Sequence, residues 1–98
     1  MADIRVSRAA HGDILEIGSF TEREWGIHQR REYLDGLDAQ FTLISENPML
    51  AAERREFTPP VRIHPYRRHL IVYLAEPDGI FIVRVLHAGM DVASRLGG

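Results

Sequence analysis

The chain has 98 residues, a net charge of −2, and 45% hydrophobic against 27% charged side chains. That length can bury one modest core in one domain, and the composition excludes a disordered chain. The absence of cysteine excludes disulfides and thiolate metal sites, and the weak negative charge excludes a generally basic nucleic-acid binder.

Asp3 to Ser7 alternates polar and apolar residues, which predicts a short strand. Ser7 is also a suitable N-cap for a helix over Arg8 to Glu24, where Ile14, Leu15, Ile17 and Phe20 fall on one face. Gly26 is placed to end that helix in the left-handed conformation. A second helix is predicted over Ile27 to Glu46, with Leu34, Leu37, Phe41 and Ile44 as its apolar stripe. Asn47-Pro48 stops it, because the residue before proline is pushed out of the helical region. With almost no loop at Trp25-Gly26, the two helices are expected to form an antiparallel hairpin. Trp25 is expected to staple that hairpin. Gly36 weakens the second helix unless it allows a close approach, with the first helix as the expected neighbour.

Residues 49–60 carry turn signals and end in Pro59-Pro60. Val61 to His64, cut short by Pro65, reads as an edge or irregular strand. His69 to Ala75 and Ile80 to His87 are strands, joined through Glu76-Pro77-Asp78-Gly79 as a type I turn. Gly89 leaves the sheet, Asp91 caps a last turn through Leu96, and Gly97-Gly98 are expected to fray. The order strand, helix, helix, three strands gives an α+β fold: one domain over residues 1–98, with a helical hairpin packed on an antiparallel sheet. No apolar run of signal-peptide length opens the chain, and none reaches the roughly 18 residues needed to cross a bilayer. A cytoplasmic protein is expected.

Few residues carry obvious chemistry. His11, His28, His64, His69 and His87 lack ligand spacing such as H-E-x-x-H, so no metal and no cofactor are expected. All twelve basic residues are arginine, and Arg54, Arg55, Arg62, Arg67, Arg68 and Arg84 predict a basic face on the C-terminal half. Strand alternation puts Ile80, Ile82, Arg84 and Leu86 on one face, and Phe81, Val83, Val85 and His87 on the other. A buried Arg84 needs a carboxylate, from Glu22 of this chain or from a partner. A lone histidine in the position of His87 is ordinarily a hydrogen-bonded structural residue.

The residues at the corners of this order resemble the ParE branch of the RelE/ParE family of bacterial toxins. Glu22, Trp25, Gly26, Gln29, Tyr33 and Leu37 follow that family's E-x-x-W-G-x-x-Q-x-x-x-Y-x-x-x-L pattern, with Phe20 where it often has tyrosine. Tyr66, Arg67 and Tyr73 follow Y-R-x-x-x-x-x-Y. Ile82, Arg84, Val85, Leu86, His87, Met90 and Asp91 follow I-x-R-V-L-H-x-x-M-D. The resemblance runs over nearly the whole chain. It implies a toxin of a type II toxin–antitoxin pair, neutralised by a ParD-like antitoxin that lays a segment along it.

ParE-like toxins poison DNA gyrase, whereas RelE-like relatives cut messenger RNA on the ribosome. The ribonuclease branch often has arginine three residues before the middle-strand tyrosine, and here that position is Leu70. There is also no lysine and no terminal tyrosine. Gyrase inhibition without chemistry of its own is therefore the favoured expectation, and the alternatives are an endoribonuclease built on Arg84 and His87, or a non-toxic relative that only binds its partner. Arg84, His87, Met90, Asp91 and Leu96 are expected to meet the target. Tyr33, Leu37, Phe41, Arg62, Arg67 and Arg68 are expected to meet the antitoxin, whose docking segment should be amphipathic and acidic. No sequence-specific nucleic-acid binding is expected from the toxin alone.

Overall fold

The computed structural model describes residues 2–96; the expected fraying of Gly97-Gly98 lies outside them. Strand β1 (Asp3–Val6) leads into helix α1 (Arg8–Trp25), and α2 (Ile27–Glu46) follows directly. Then come β2 (Glu53–Arg54), β3 (Val61–Tyr66), β4 (His69–Glu76), β5 (Gly79–His87) and a short helix α3 (Val92–Arg95). The sheet order is β1-β5-β4-β3-β2. β1 runs parallel to β5 and every other pair is antiparallel.

Local chemistry explains the helix ends. Ser7 caps α1, its hydroxyl accepting from the Ala10 amide at 2.9 Å. That hydroxyl also donates to the Val83 carbonyl at 2.7 Å, so one residue ends β1, starts α1 and ties both to β5. Gly26 sits at φ 92 between the helices, where a side chain would be strained. α3 is capped by Asp91, whose carboxylate accepts from the Ala93 amide at 3.2 Å.

The helical hairpin covers one face of the sheet. Ile17, Leu37, Phe41, Ile44, Ile71, Tyr73, Ile80, Ile82 and Val85 form the main core. Each fully buried aliphatic side chain there contributes roughly 1.5–3 kcal/mol from area removed from water. Tyr73 is buried with its hydroxyl donating to the Pro48 carbonyl at 2.9 Å, which fastens the loop after α2. A smaller cluster of Val61, Val72 and Leu86 lies on the opposite face, partly covered by Phe57 and by Val92 and Leu96 around α3.

Several expectations are corrected. α1 buries Ala10, Ile17, Gly18 and Thr21, while Leu15 and Phe20 are 61% and 54% exposed. The packed face is lined by small residues because α1 lies close against α2 and the sheet. Trp25 is 53% exposed and staples nothing. Gly36 faces β3 instead of α1: a Cβ there would collide with the Tyr66 ring and hydroxyl. β3 runs through Pro65 to Tyr66, and the two-residue β2 pairs with its start. β5 carries a bulge: Val72 pairs with Arg84 and Tyr73 with Ile82, leaving Val83 extra. The bulge shifts the alternation, so Val85 joins Ile80 and Ile82 in the main core and Leu86 packs on the opposite face.

Candidate functional site

β1 ends at Val6, so β5 beyond Ile82 has no strand on that side. α1 covers this stretch instead. Asp13 accepts from the Arg84 guanidinium through two bonds of 2.8 Å, and from the Val85 amide at 3.0 Å. The remaining Arg84 Nη1 donates to the Arg95 carbonyl in α3 at 3.2 Å. The two side chains are 23% and 11% exposed. Hydrogen bonding to Asp13 raises the Arg84 pKa still further. The carboxylate partner is therefore Asp13, and Glu22 pairs with Arg30 at 2.8 Å. Arg84 is committed to joining α1, β5 and α3.

Past this junction opens a cavity of about 620 Å³ between α1, the start of α2 and the ends of β4 and β5. Phe20, Trp25 and Met90 bring exposed apolar surface to it. Tyr33, His69 and His87 bring polar rings, and Arg67 and Arg68 occupy the β3–β4 turn at its rim. Tyr33 and His69 are bonded through the phenol oxygen and Nδ1 at 2.6 Å. His69 stands edge-to-face with His87, their centroids 5.6 Å apart. The Gly89 amide donates to His87 Nδ1 at 3.1 Å. Burial pushes the Tyr33 hydroxyl pKa up, opposed by the Arg68 backbone and the two arginines. Burial also lowers the His69 pKa, as does His87, while Asp13 opposes the shift.

Arg67 is the one non-glycine residue with positive φ among the described residues, at 51°. Its guanidinium carbon lies 5.6 Å from the ring centroids of both Tyr33 and Tyr66, a separation suited to cation–π attraction. The basic face expected on the C-terminal half is narrower than the count of arginines suggested. Arg54 and Arg55 pair with Glu56 and Glu53, and Arg84 with Asp13. Arg62 donates to the Ala51 carbonyl at 2.5 Å. Arg67 and Arg68 have no carboxylate partner among the described residues.

Of the expected target residues, His87 and Met90 line the cavity. Asp91 is used as the α3 cap and Leu96 packs on the outer sheet face. Of the arginine–histidine pair named for an endoribonuclease, Arg84 is held by Asp13 and His87 lines the cavity. Of the expected antitoxin residues, Tyr33, Arg67 and Arg68 reach the cavity. Leu37 and Phe41 are buried under the sheet and offer no surface, and Arg62 is tied to the loop after α2. Sequence reasoning missed Phe20 and Trp25 as wall residues and His69 as the partner of His87. No sequence signal separates Phe20 and Trp25 from core residues, since both are large and apolar and Phe20 falls on the helix's apolar face. No cluster of three or more metal-ligating side chains occurs among the described residues. No helix among them is long and apolar enough to cross a membrane.

Residues 4–92 match the family model for the ParE toxin of the type II toxin–antitoxin system parDE. The toxin ParE1 of Caulobacter vibrioides is 29% identical over 97 residues, spanning 99% of this chain and 100% of that protein. A toxin ParE of Escherichia coli is 27% identical over 88 residues, 89% of this chain and 85% of that protein. A solved chain from the chromosomal ParDE toxin–antitoxin system of P. aeruginosa superposes with a TM-score of 0.74 at 17% identity, covering 89% of this chain and 96% of that one.

Proposed function

The chain belongs to the ParE toxin family of type II toxin–antitoxin systems, and on that premise we propose that it arrests growth by binding DNA gyrase and is silenced by a ParD-like antitoxin. The observation that carries the partner reading is the open cavity with half-exposed Phe20, Trp25 and Met90 beside Arg67 and Arg68. An amphipathic acidic segment matches such a groove: its apolar side covers the aromatic residues and its carboxylates meet the arginines. His87 and Met90, expected at the target, share this cavity with Tyr33, Arg67 and Arg68, expected at the antitoxin. A partner laid there would deny the same surface to gyrase. The gyrase reading is supported by Leu70 in place of an arginine, by the absence of lysine, and by the commitment of Arg84 to Asp13.

Trp25→Asp and Met90→Asp test this reading without touching the core. Each should leave the melting temperature near that of the parent and weaken antitoxin binding about 30-fold or more, the scale of a hot-spot aromatic. Truncation after Leu86 is a poorer test, because it also removes Val92 and Leu96 from the outer sheet face. Unchanged partner affinity in both aspartate variants would place the antitoxin elsewhere.

A further inference from the structure

The end of the cavity nearest the β3–β4 turn carries, beside the arginines that would meet a partner's carboxylates, two imidazoles that such a segment does not require. Gly89 donates to His87 Nδ1, so the neutral His87 ring carries its proton on Nε2. The Tyr33 phenol is far more acidic than a neutral imidazole N–H and is the natural donor to His69 Nδ1, 2.6 Å away, which leaves the neutral His69 ring with its proton on Nε2. Each imidazole has its Nδ1 edge satisfied by the protein. Two N–H donors remain for the cavity that both rings line.

Above them stands Arg67, its backbone in the left-handed region and its guanidinium held near Tyr33 and Tyr66. A non-glycine residue at φ 51 costs free energy that surrounding structure must offset. The arrangement fixes a forked cation at the cavity rim, with Arg68 beside it. Asp13 also lines the cavity, but its charge is matched by Arg84. Arg23 and Glu16, one of each sign, also line the α1 wall.

We infer that this end of the cavity is a binding site for the phosphate group of a nucleotide, whose base stacks on Trp25 or Phe20. Two imidazole N–H groups and two guanidinium forks supply more donors than the two oxygens of a carboxylate can use, and they suit the three free oxygens of a phosphate ester. Exposed aromatic faces in the same cavity provide stacking that tolerates any base. A volume of about 620 Å³ is in the range of small-ligand sites. The phosphate belongs either to a free nucleotide or to a nucleic-acid strand. This site goes beyond the partner reading, and its test uses the chain alone, so failure of one leaves the other standing.

Trp25 is the sole tryptophan and lines the cavity, so its fluorescence reports directly. Adenosine 5′-monophosphate should quench it saturably, and inorganic phosphate should displace the nucleotide. Adenosine should bind about tenfold more weakly or worse, the scale of one or two charge-assisted hydrogen bonds. Arg67→Gly removes the guanidinium while suiting the backbone, and should weaken the nucleotide about tenfold with no loss of melting temperature. His87→Ala should weaken it to a similar degree. A single-stranded oligoadenylate that binds far tighter, with a steep salt dependence, would identify a strand as the source of the phosphate. Equal affinity for strand and mononucleotide would identify a free nucleotide. Equal binding of adenosine and its monophosphate, no saturable quenching at millimolar ligand, or undiminished binding by both variants would overturn the site.

Discussion

Replacing Asp13 by alanine is expected to damage the fold more than any other single surface-charge change in the chain. Its carboxylate holds two bonds from Arg84 and one from the Val85 amide. Without it, a largely buried guanidinium loses its counter-charge and a backbone donor on an uncovered stretch of β5 loses its acceptor. Removing one partner of a fully buried pair costs about 3–5 kcal/mol. The 23% exposure of Arg84 lets water recover part of this, which leaves about 2–3 kcal/mol. For a domain of this size that is a fall in melting temperature of roughly 10–20 °C. Arg84→Ala should cost somewhat less, since Asp13 keeps its bond to Val85. The double variant should then be less destabilised than the sum of the singles, with a coupling of about 1–2 kcal/mol. The exposed Arg5–Glu76 pair, 61% and 30% exposed, is the control, and its loss should fall within about 1 kcal/mol. Urea unfolding of the four variants and the parent measures all of this. An Asp13→Ala protein as stable as the parent, or strictly additive singles, would show that the Asp13–Arg84 pair does not hold this edge of the sheet.

Three further outcomes follow from the packing and charges. Gly36→Ala places a methyl against the Tyr66 ring, whose Cζ would lie 2.9 Å away, so thermal unfolding should show a loss of about 1–3 kcal/mol. Gly12→Ala meets nothing within 4 Å on an exposed helix turn, and the same measurement should show a gain of about 0.5–1 kcal/mol. His64 and His69 both have folded-state pKa values lowered, mainly by burial, so the unfolded chain takes up protons first. Stability should therefore be full above about pH 6.5 and fall as the pH drops below it. His69 faces Tyr33, His87 and Asp13, and His69→Gln should flatten the profile. A melting temperature that rises on acidification from pH 7 to pH 5.5 would contradict the sign.

The order of elements was legible because period and punctuation agreed. Ser7, Gly26, Asn47-Pro48 and the Glu76–Gly79 turn each mark a boundary that the structure keeps within a residue or two. The missing pieces have physical causes. Pairing of β1 with β5 joins strands far apart in sequence, and no local pattern in β1 names its neighbour. The bulge at Val83 inserts one residue into an otherwise regular alternation, and that single residue puts Val85 and His87 on the face of Ile80 and Ile82, and Arg84 and Leu86 on the opposite one. Phe20 and Trp25 read as core because they are large and apolar, but the close face of α1 is reserved for Ala10, Gly18 and Thr21. The family motifs did converge on one place. Trp25, Gln29, Tyr33, Arg67, His87 and Met90, taken from three separate stretches of sequence, all line the same cavity. Asp13, the residue that anchors its edge, belongs to none of the three motifs.

Gyrase poisoning is tested most directly by a supercoiling and DNA-cleavage assay with purified gyrase and the purified chain. The chain should stop supercoiling and trap cleaved DNA, its ParD-like partner should restore activity, and Trp25→Asp should weaken both effects. Gyrase that works unhindered at a large excess of chain, while translated messenger RNA is cut after induction, would contradict it.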